Sequence, residues 1–255
     1  VRPIIDLNDG NFSIMRIEDD RKIAVVGVEV DGGAAYPPSP GAEFFVMVND
    51  EANTPVGFDS IFHDCYFHNS RSSCLYWAID NATNAGTAAG CYDHIAITEC
   101  GFADNAADWL TFSSTTGTAV RYFTDTSTYG RTSSFGSRLG MVQHAYLHHN
   151  RPLSTGGNVP LRIHSEGVAG CNSEWIVLDR CTLLRSCWFQ PDDGNGAARD
   201  LNYLWIDRCY FANASGQYVV LDVFANSNLV IRNSIFYSIY NNGPCVSYRG
   251  SGANI

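Results

Sequence analysis

Arginine, histidine, carboxylate and tryptophan side chains occur close together on three segments in the second half of the chain. The segments are VPLRIHSE, SCWFQPDD and QYVVLDV, and the side chains are Arg162, His164, Glu166, Trp188, Gln190, Asp192 and Asp222. A sugar ring offers apolar faces to an aromatic side chain and hydroxyl groups to carboxylate and guanidinium partners. Binding or cleavage of a polysaccharide is therefore the chemistry that these residue types could perform.

Elimination within a uronate polymer is one reaction open to this set. It needs a cation that neutralises the uronate carboxylate and a base that takes the neighbouring proton. Arg162 would be the cation and His164 the base, and a lysine base on these segments is excluded because Lys22 is the only lysine. Calcium would assist if Glu166, Asp192 or Asp193 supplied hard oxygen ligands.

Hydrolysis of a glycosidic bond is the other reaction. It needs two carboxyl groups, about 5 Å apart for retention or roughly 6.5 to 9.5 Å for inversion. Asp222 with Asp192 or Asp193 would give the first separation if their segments are neighbours. Glu166 with Asp222 would give the second if one segment lies between them.

An internal sequence repeat predicts the secondary-structure elements that would position these residues. The phrases FHDCYFHNS, ITECGFADN, LDRCTLLRS and IDRCYFANAS align on their cysteines, and the alignment extends to three more segments. The seven aligned positions, here called anchors, are Val28, Cys65, Cys100, Ala145, Cys181, Cys209 and Ser234. Four positions were compared in each repeat: five residues before the anchor, three before it, the anchor itself and two after it. The residues at these positions are all apolar except Ser60, Gly140 and Ser234, whereas the whole chain is 45% apolar.

The pattern predicts short strands that meet at a corner. Apolar and polar residues alternate within each repeat, as in a strand with one buried face, and the phase slips just before the anchor. Like residues would then stack every ~4.8 Å along an axis. We expect an all-β chain folded as one right-handed parallel β-helix of about seven coils over residues 1–255.

The anchor cysteines are expected to be reduced and buried. Their counterparts in the same column are Val28, Ala145 and Ser234, and a buried free cysteine behaves as a small apolar side chain. A disulfide would have to come from the cysteines outside the column, which are Cys74, Cys91, Cys171, Cys187 and Cys245.

A further strand precedes each anchor strand, and alternation turns every second residue of it outward. The first outward row is predicted to be Met47, Ala78, Thr111, Arg162, Trp188, Val220 and Ser247. The second is predicted to be Asn49, Asp80, Ser113, His164, Gln190, Asp222 and Arg249. Catalysis is assigned to His164, Arg162, Asp222 and Asp192, and substrate contact to Trp188, Gln190, Glu166, Asp80 and Arg249.

This repeat, together with the segment HHNRPLSTGGNVPLRIHSEG, resembles the right-handed parallel β-helix superfamily of pectate lyases, polygalacturonases, alginate lyases and phage tailspikes. The resemblance implies a polysaccharide ligand and cleavage by β-elimination or by hydrolysis. The spacing of Arg151 and Arg162 departs from the arginine–proline–arginine motif of the lyases, and the aspartate-rich motifs of polygalacturonases are absent. A non-catalytic solenoid, such as a tailspike or surface-protein shaft, is the alternative.

Charge and hydropathy limit the partners. A net charge of −10 would repel a nucleic-acid backbone, and no apolar run reaches the roughly 18 residues that a membrane helix needs. We expect an extracellular, cell-surface or virion-surface protein. The final segment PCVSYRGSGANI would begin a further coil, which predicts a longer chain, a missing C-terminal cap or self-association at that end.

Overall fold

The computed structural model describes a chain made of short strands and turns. The described residues are 2–6, 15–17, 22–32, 46–50, 60–70, 73–79, 94–105, 109–114, 120–132, 136–140, 142–154, 160–164, 173–184, 187–190, 201–213, 221–224, 228–238 and 245–249. Among them, no helix is long and apolar enough to cross a membrane.

The described residues form twenty-six strands. The first half contains β1 (Ile4–Asp6), β2 (Met15–Ile17), β3 (Ile23–Val26), β4 (Glu29–Asp31), β5 (Val46–Asp50), β6 (Ser60–His63), β7 (Tyr66–His68), β8 (Leu75–Ile79), β9 (Ile95–Thr98), β10 (Gly101–Asn105), β11 (Leu110–Ser114), β12 (Phe123–Thr126) and β13 (Tyr129–Thr132). The second half contains β14 (Ser137–Gly140), β15 (Gln143–His148), β16 (Arg151–Ser154), β17 (Leu161–His164), β18 (Ser173–Asp179), β19 (Thr182–Leu184), β20 (Cys187–Gln190), β21 (Leu201–Asp207), β22 (Tyr210–Asn213), β23 (Leu221–Phe224), β24 (Leu229–Arg232), β25 (Ile235–Ser238) and β26 (Val246–Arg249).

Every third strand belongs to the same sheet, and all neighbouring strands are parallel. Sheet A runs from β1 through β4 and β7 to β25, and sheet B runs from β2 through β5 and β8 to β26. Sheet C runs from β3 through β6 and β9 to β24. One repeat is therefore a strand of sheet C, then one of sheet A, then one of sheet B.

The predicted all-β, parallel character is confirmed, but the number of repeats is not seven. In the part of the chain that the structure describes, sheets A and B each contain nine strands and sheet C contains eight. The repeat missed in the sequence is β12, β13 and β14. The apolar pattern does not reveal this repeat, because three of its four inward positions are occupied by residues that are not apolar: Asp125, Thr128 and Gly130. Gly130 has φ +138°, and a Cβ there would lie 1.8 Å from the main-chain oxygen of Phe102.

A second correction concerns the anchor of the following repeat. Ala145 lies opposite Phe123 and Ile176, so it occupies the position five residues before the anchor. Asn150 is the anchor of this repeat, because its carbonyl accepts the N–H of Thr182 just as the carbonyls of the other anchors do. The alignment failed here because the true anchor is polar.

The corrected anchor column has eight members: Val28, Cys65, Cys100, Thr128, Asn150, Cys181, Cys209 and Ser234. From Cys65 onward, the residue after each anchor donates its N–H to the carbonyl of the preceding anchor at 2.8–3.1 Å. The residue before each anchor has a left-handed φ, between 51° at Asn233 and 67° at Gly27. This left-handed residue makes the corner that the slip in alternation predicted.

The cysteines of the column are free and buried, as expected. Cys65, Cys100, Cys181 and Cys209 are all without a disulfide, and their thiols donate to main-chain carbonyls. The hydrogen bond that the Cys100 thiol shares with the Cys65 sulfur, in which Cys100 keeps its proton, and burial both raise the pKa of Cys100. Cys74 and Cys187 are also buried and free, Cys245 is half-buried and free, and Cys91 and Cys171 lie outside the described residues.

Asp125 is a carboxyl group in an otherwise apolar column of the core. Its column neighbours, opposite it in sheet C, are Ile97 and Leu147, and Asp125 is only 3% exposed. Burial raises the pKa of Asp125 to about 7, and a hydrogen bond from Thr128 offsets part of this rise. The Asn150 amide bonds the carbonyl of Asp125 and the N–H of Thr128, both at 3.1 Å, while Oδ1 of Asp125 has no hydrogen-bond partner among the described residues.

Replacement of Asp125 by Asn should remove a pH dependence of stability. Because the folded pKa lies above the unfolded value of 3.8, the stability that protonated Asp125 contributes is present below about pH 4 and is lost as pH rises through about 7. The loss is on the order of 4 kcal/mol. The difference in urea midpoint between the wild type and Asp125→Asn should develop between about pH 4 and about pH 7 and stay constant above that, with the exposed Glu99→Gln as control. An unchanging difference between pH 4 and 8.5 would contradict the burial of this carboxyl group.

Thiol titration in denaturant without reductant should detect at least seven free thiols per chain, matching the seven described free cysteines. The reason is that the column positions suit small apolar side chains and lie inside the sheets. Five thiols or fewer would mean that cysteines in the core are oxidised in pairs, contrary to the structure.

Candidate functional site

The residues predicted for polysaccharide chemistry lie on neighbouring strands of sheet B. Arg162 on β17 lies opposite Trp188 on β20, and Trp188 lies opposite Asp222 on β23. Neighbouring strands are about 4.8 Å apart, so the three backbone positions form a continuous row. His164 lies opposite Gln190 in the next outward row.

Asp222 therefore belongs to the first outward row and not to the second, where the sequence placed it. Similarly, Tyr76 and not Ala78 lies opposite Met47 and Thr111. A shift of two residues keeps the same face of a strand outward. Alternation therefore identifies the outward face, but it does not determine which outward residues lie opposite one another. The predicted partner of Trp188 in this row, Val220, lies outside the described residues.

The missed repeat adds an arginine to the row. Arg138 on β14 lies between Thr111 and Arg162, so the row reads Arg138, Arg162, Trp188, Asp222 across four strands. The segment SRLG, which carries Arg138, alternates like the other sheet B strands. The alternation of this segment is the signal for the strand, but the polar anchor of its repeat, Thr128, hides the repeat from an alignment on apolar positions.

The structure describes these side chains unevenly. Arg162 is half-buried. For Arg138, His164, Trp188, Gln190, Asp222 and Arg249 it describes the backbone position alone, and Asp80, Glu166, Asp192 and Asp193 lie outside the described residues. Within the described part of the chain, no group of three or more His, Cys, Asp or Glu side chains is placed to hold a metal ion.

Exposed aromatic rings form a second feature, near the N-terminal ends of five neighbouring strands of sheet C. Here called the aromatic ladder, it consists of His94, Tyr122, His144, Trp175 and Tyr203. Successive ring centroids are 5.0, 5.0, 6.2 and 3.9 Å apart, with interplanar angles of 17°, 23°, 3° and 7°. Each residue directly precedes the first inward position of its repeat, and Trp175 is 47% exposed.

The backbone of the ladder is held in an unusual conformation. His94, His144, Trp175 and Tyr203 have φ between 53° and 58°. A left-handed conformation costs a side-chain-bearing residue roughly 1–2 kcal/mol, whereas an aromatic pair contributes about 0.5–1.5 kcal/mol beyond its buried area. Stacking therefore offsets much of the strain. The sequence search missed the ladder because it followed only apolar positions of the core.

Charged residues form a network at the corner between sheets C and A. Arg208 contacts Asp179 at 2.8 Å and Asp207 at 3.3 Å, and Arg232 contacts Asp207 at 3.0 Å. The hydrogen bond from Arg232 is the largest effect lowering the pKa of Asp207. The Arg232 guanidinium also lies over the ring of Trp205, 4.6 Å from its centroid. This network satisfies both carboxylates within the protein, so it is a structural feature of the corner.

Three comparisons with known proteins found no match to this chain. No family model matches it, and neither a curated protein nor a solved structure shows significant similarity. Fold and function therefore rest on the residues and on the geometry described above.

Proposed function

We propose that the three sheets are the faces of one right-handed parallel β-helix, and that its sheet B face binds and cleaves a polysaccharide. The regular alternation of sheets C, A and B along the chain supports this fold. A crossover that returns to the same parallel sheet is right-handed in about 98% of cases. The proposal places the protein outside the cell or on a cell or virion surface, where such polymers occur.

The proposed ligand class rests on one row of residues on sheet B: Arg138, Arg162, Trp188 and Asp222. Tryptophan suits the apolar face of a sugar ring, and arginine binds a carboxylate through two parallel hydrogen bonds. Two arginines on adjacent strands would also counter locally the repulsion between a polyanion and a chain of net charge −10. A uronate-containing glycan therefore fits better than a neutral one at this face.

Elimination is the reaction that suits a uronate. Arg162 would neutralise the substrate carboxylate, which makes the proton on the adjacent carbon more acidic. His164, two residues further along β17 and on the same face, would accept that proton. The electron pair of the broken C–H bond would form a carbon–carbon double bond as the glycosidic C–O bond breaks, and the leaving oxygen would take a proton from water. Hydrolysis is the alternative reaction, with Asp222 and Asp192 as its two carboxyl groups.

A non-catalytic adhesive or structural solenoid is the second candidate. The aromatic ladder favours it, because a regular stack of like residues across five repeats strengthens the contact between repeats without requiring any reaction.

Replacement of Trp188 by Ala should weaken binding of a uronate oligosaccharide by about 1 to 3 kcal/mol, the scale of burying a large side chain. Isothermal titration calorimetry with oligogalacturonate and oligoalginate measures this change. Trp205→Ala is the matched control, because Trp205 is an exposed tryptophan on sheet C. Equal affinities of the wild type and Trp188→Ala for every uronate bound would exclude sheet B as the binding face.

Absorbance of the unsaturated product, followed together with release of reducing ends, identifies the reaction. Both signals are expected on a uronate polymer, and His164→Ala should lose both while retaining binding, since a base contributes to turnover more than to affinity. Reducing ends without absorbance would mean hydrolysis. Silence in both assays, with binding retained, would leave the non-catalytic solenoid.

A further inference from the structure

We propose that sheet C carries a second glycan-binding site, separate from sheet B, which takes an uncharged segment of a polysaccharide. The site is a groove of about 480 Å³ beside the start of the aromatic ladder. Its lining residues are Ile61, His94, Ile95, Ala96, Tyr122 and Thr124.

The floor and wall of the groove come from three neighbouring repeats. Ile61, Ala96 and Thr124 lie opposite one another on β6, β9 and β12 and form the floor. The stacked rings of His94 and Tyr122, 5.0 Å apart, form the wall. Tyr146 lies opposite Thr124 on the next strand, so a large side chain follows the small ones at this end. The groove thus runs across the strands, along the stacking direction.

Side chains, and not main-chain groups, must recognise the ligand. The main chain of β6, β9 and β12 pairs in register within sheet C. An extended peptide binds by adding a strand at a free sheet edge, and this groove lies on a sheet face. A peptide strand is therefore disfavoured.

The groove combines apolar and polar surface in the way a sugar ring requires. Ile61, which is 46% exposed, and Ala96 offer apolar contact to the C–H face of a pyranose. Tyr122 and Thr124 offer hydroxyl groups to its oxygens. Because Tyr122 stacks between His94 and His144, the ladder presents ring edges, which are electropositive and attract oxygen atoms.

The charge of the groove selects a neutral glycan. None of its lining residues is Asp, Glu, Lys or Arg, while the chain as a whole carries −10. The guanidinium of Arg121 lies 5.5 Å from the centroid of the Tyr122 ring, in contact with a ring of the wall and not among the lining residues. A polyanion would meet the overall repulsion without a lining cation, whereas an uncharged glycan would not.

Thr124→Tyr tests the site by filling the groove. The fold should accept this change, because Tyr146 already occupies the equivalent position of the next repeat. Val177→Tyr is the matched control, since Val177 lies in the same outward row between Tyr146 and Trp205, outside the groove. Affinity electrophoresis in gels containing mixed-linkage β-glucan, arabinoxylan or galactomannan measures the dissociation constant.

At least one of these neutral glycans should retard the wild type. Thr124→Tyr should raise the dissociation constant about tenfold or more, and Val177→Tyr should leave it unchanged. Tyr122→Phe, which keeps the ring stack and removes only the hydroxyl group, should raise it about three- to tenfold. If Thr124→Tyr does not fold, as judged by circular dichroism, Tyr122→Phe decides the question.

Unchanged retardation of both variants, or no retardation of the wild type by any of the neutral glycans, would overturn the groove as a binding site. Neither result affects sheet B, because uronate binding and its loss in Trp188→Ala are measured separately. Loss of neutral-glycan binding in Trp188→Ala, but not in Thr124→Tyr, would assign all glycan binding to sheet B and would also overturn this inference.

Discussion

Parallel pairing of each strand with the equivalent strand of the next repeat is the constraint on which the rest of the structure depends. The N–H after each anchor bonds the carbonyl of the preceding anchor at 2.8–3.1 Å, and this contact recurs from Val28 to Ser234. Like positions therefore lie above one another at strand spacing. The core column, the row on sheet B and the aromatic ladder are three outcomes of this one register.

The register gives each face its own chemistry. On sheet B it aligns Arg138 and Arg162 with Trp188, which suits an anionic glycan; on sheet C it aligns exposed rings beside a floor of small side chains, which suits a neutral one. Between sheets C and A, Asp179 and Asp207 bind their arginines within the protein. The two faces proposed to bind glycans and the charged corner between sheets C and A are thus compatible within a single repeat pattern.

The all-β, parallel character and the outward face of the sheet B strands could be predicted from the sequence because both depend on burial, which alternation records. Cys65, Cys100, Cys181 and Cys209 identified the column, since all are small and buried. The repeat containing Asp125 and Thr128 was missed, and Asn150 was not recognised as an anchor, because a buried polar residue breaks the apolar signal. The row of Asp222 was misplaced by two residues, a shift that preserves alternation. Positions on the exterior, such as Trp175, leave no apolar periodicity at all.

A crystal structure of the protein with a bound uronate oligosaccharide tests the central claim most directly, because it measures the register and the ligand position together. We expect the Cα atoms of Arg162, Trp188 and Asp222 in one row at successive spacings of about 4.8 Å, with the sugar over Trp188 and its carboxylate beside Arg162. Cα atoms of Arg162 and Asp222 separated by more than about 15 Å, three strand spacings, or a uronate bound away from sheet B, would contradict it.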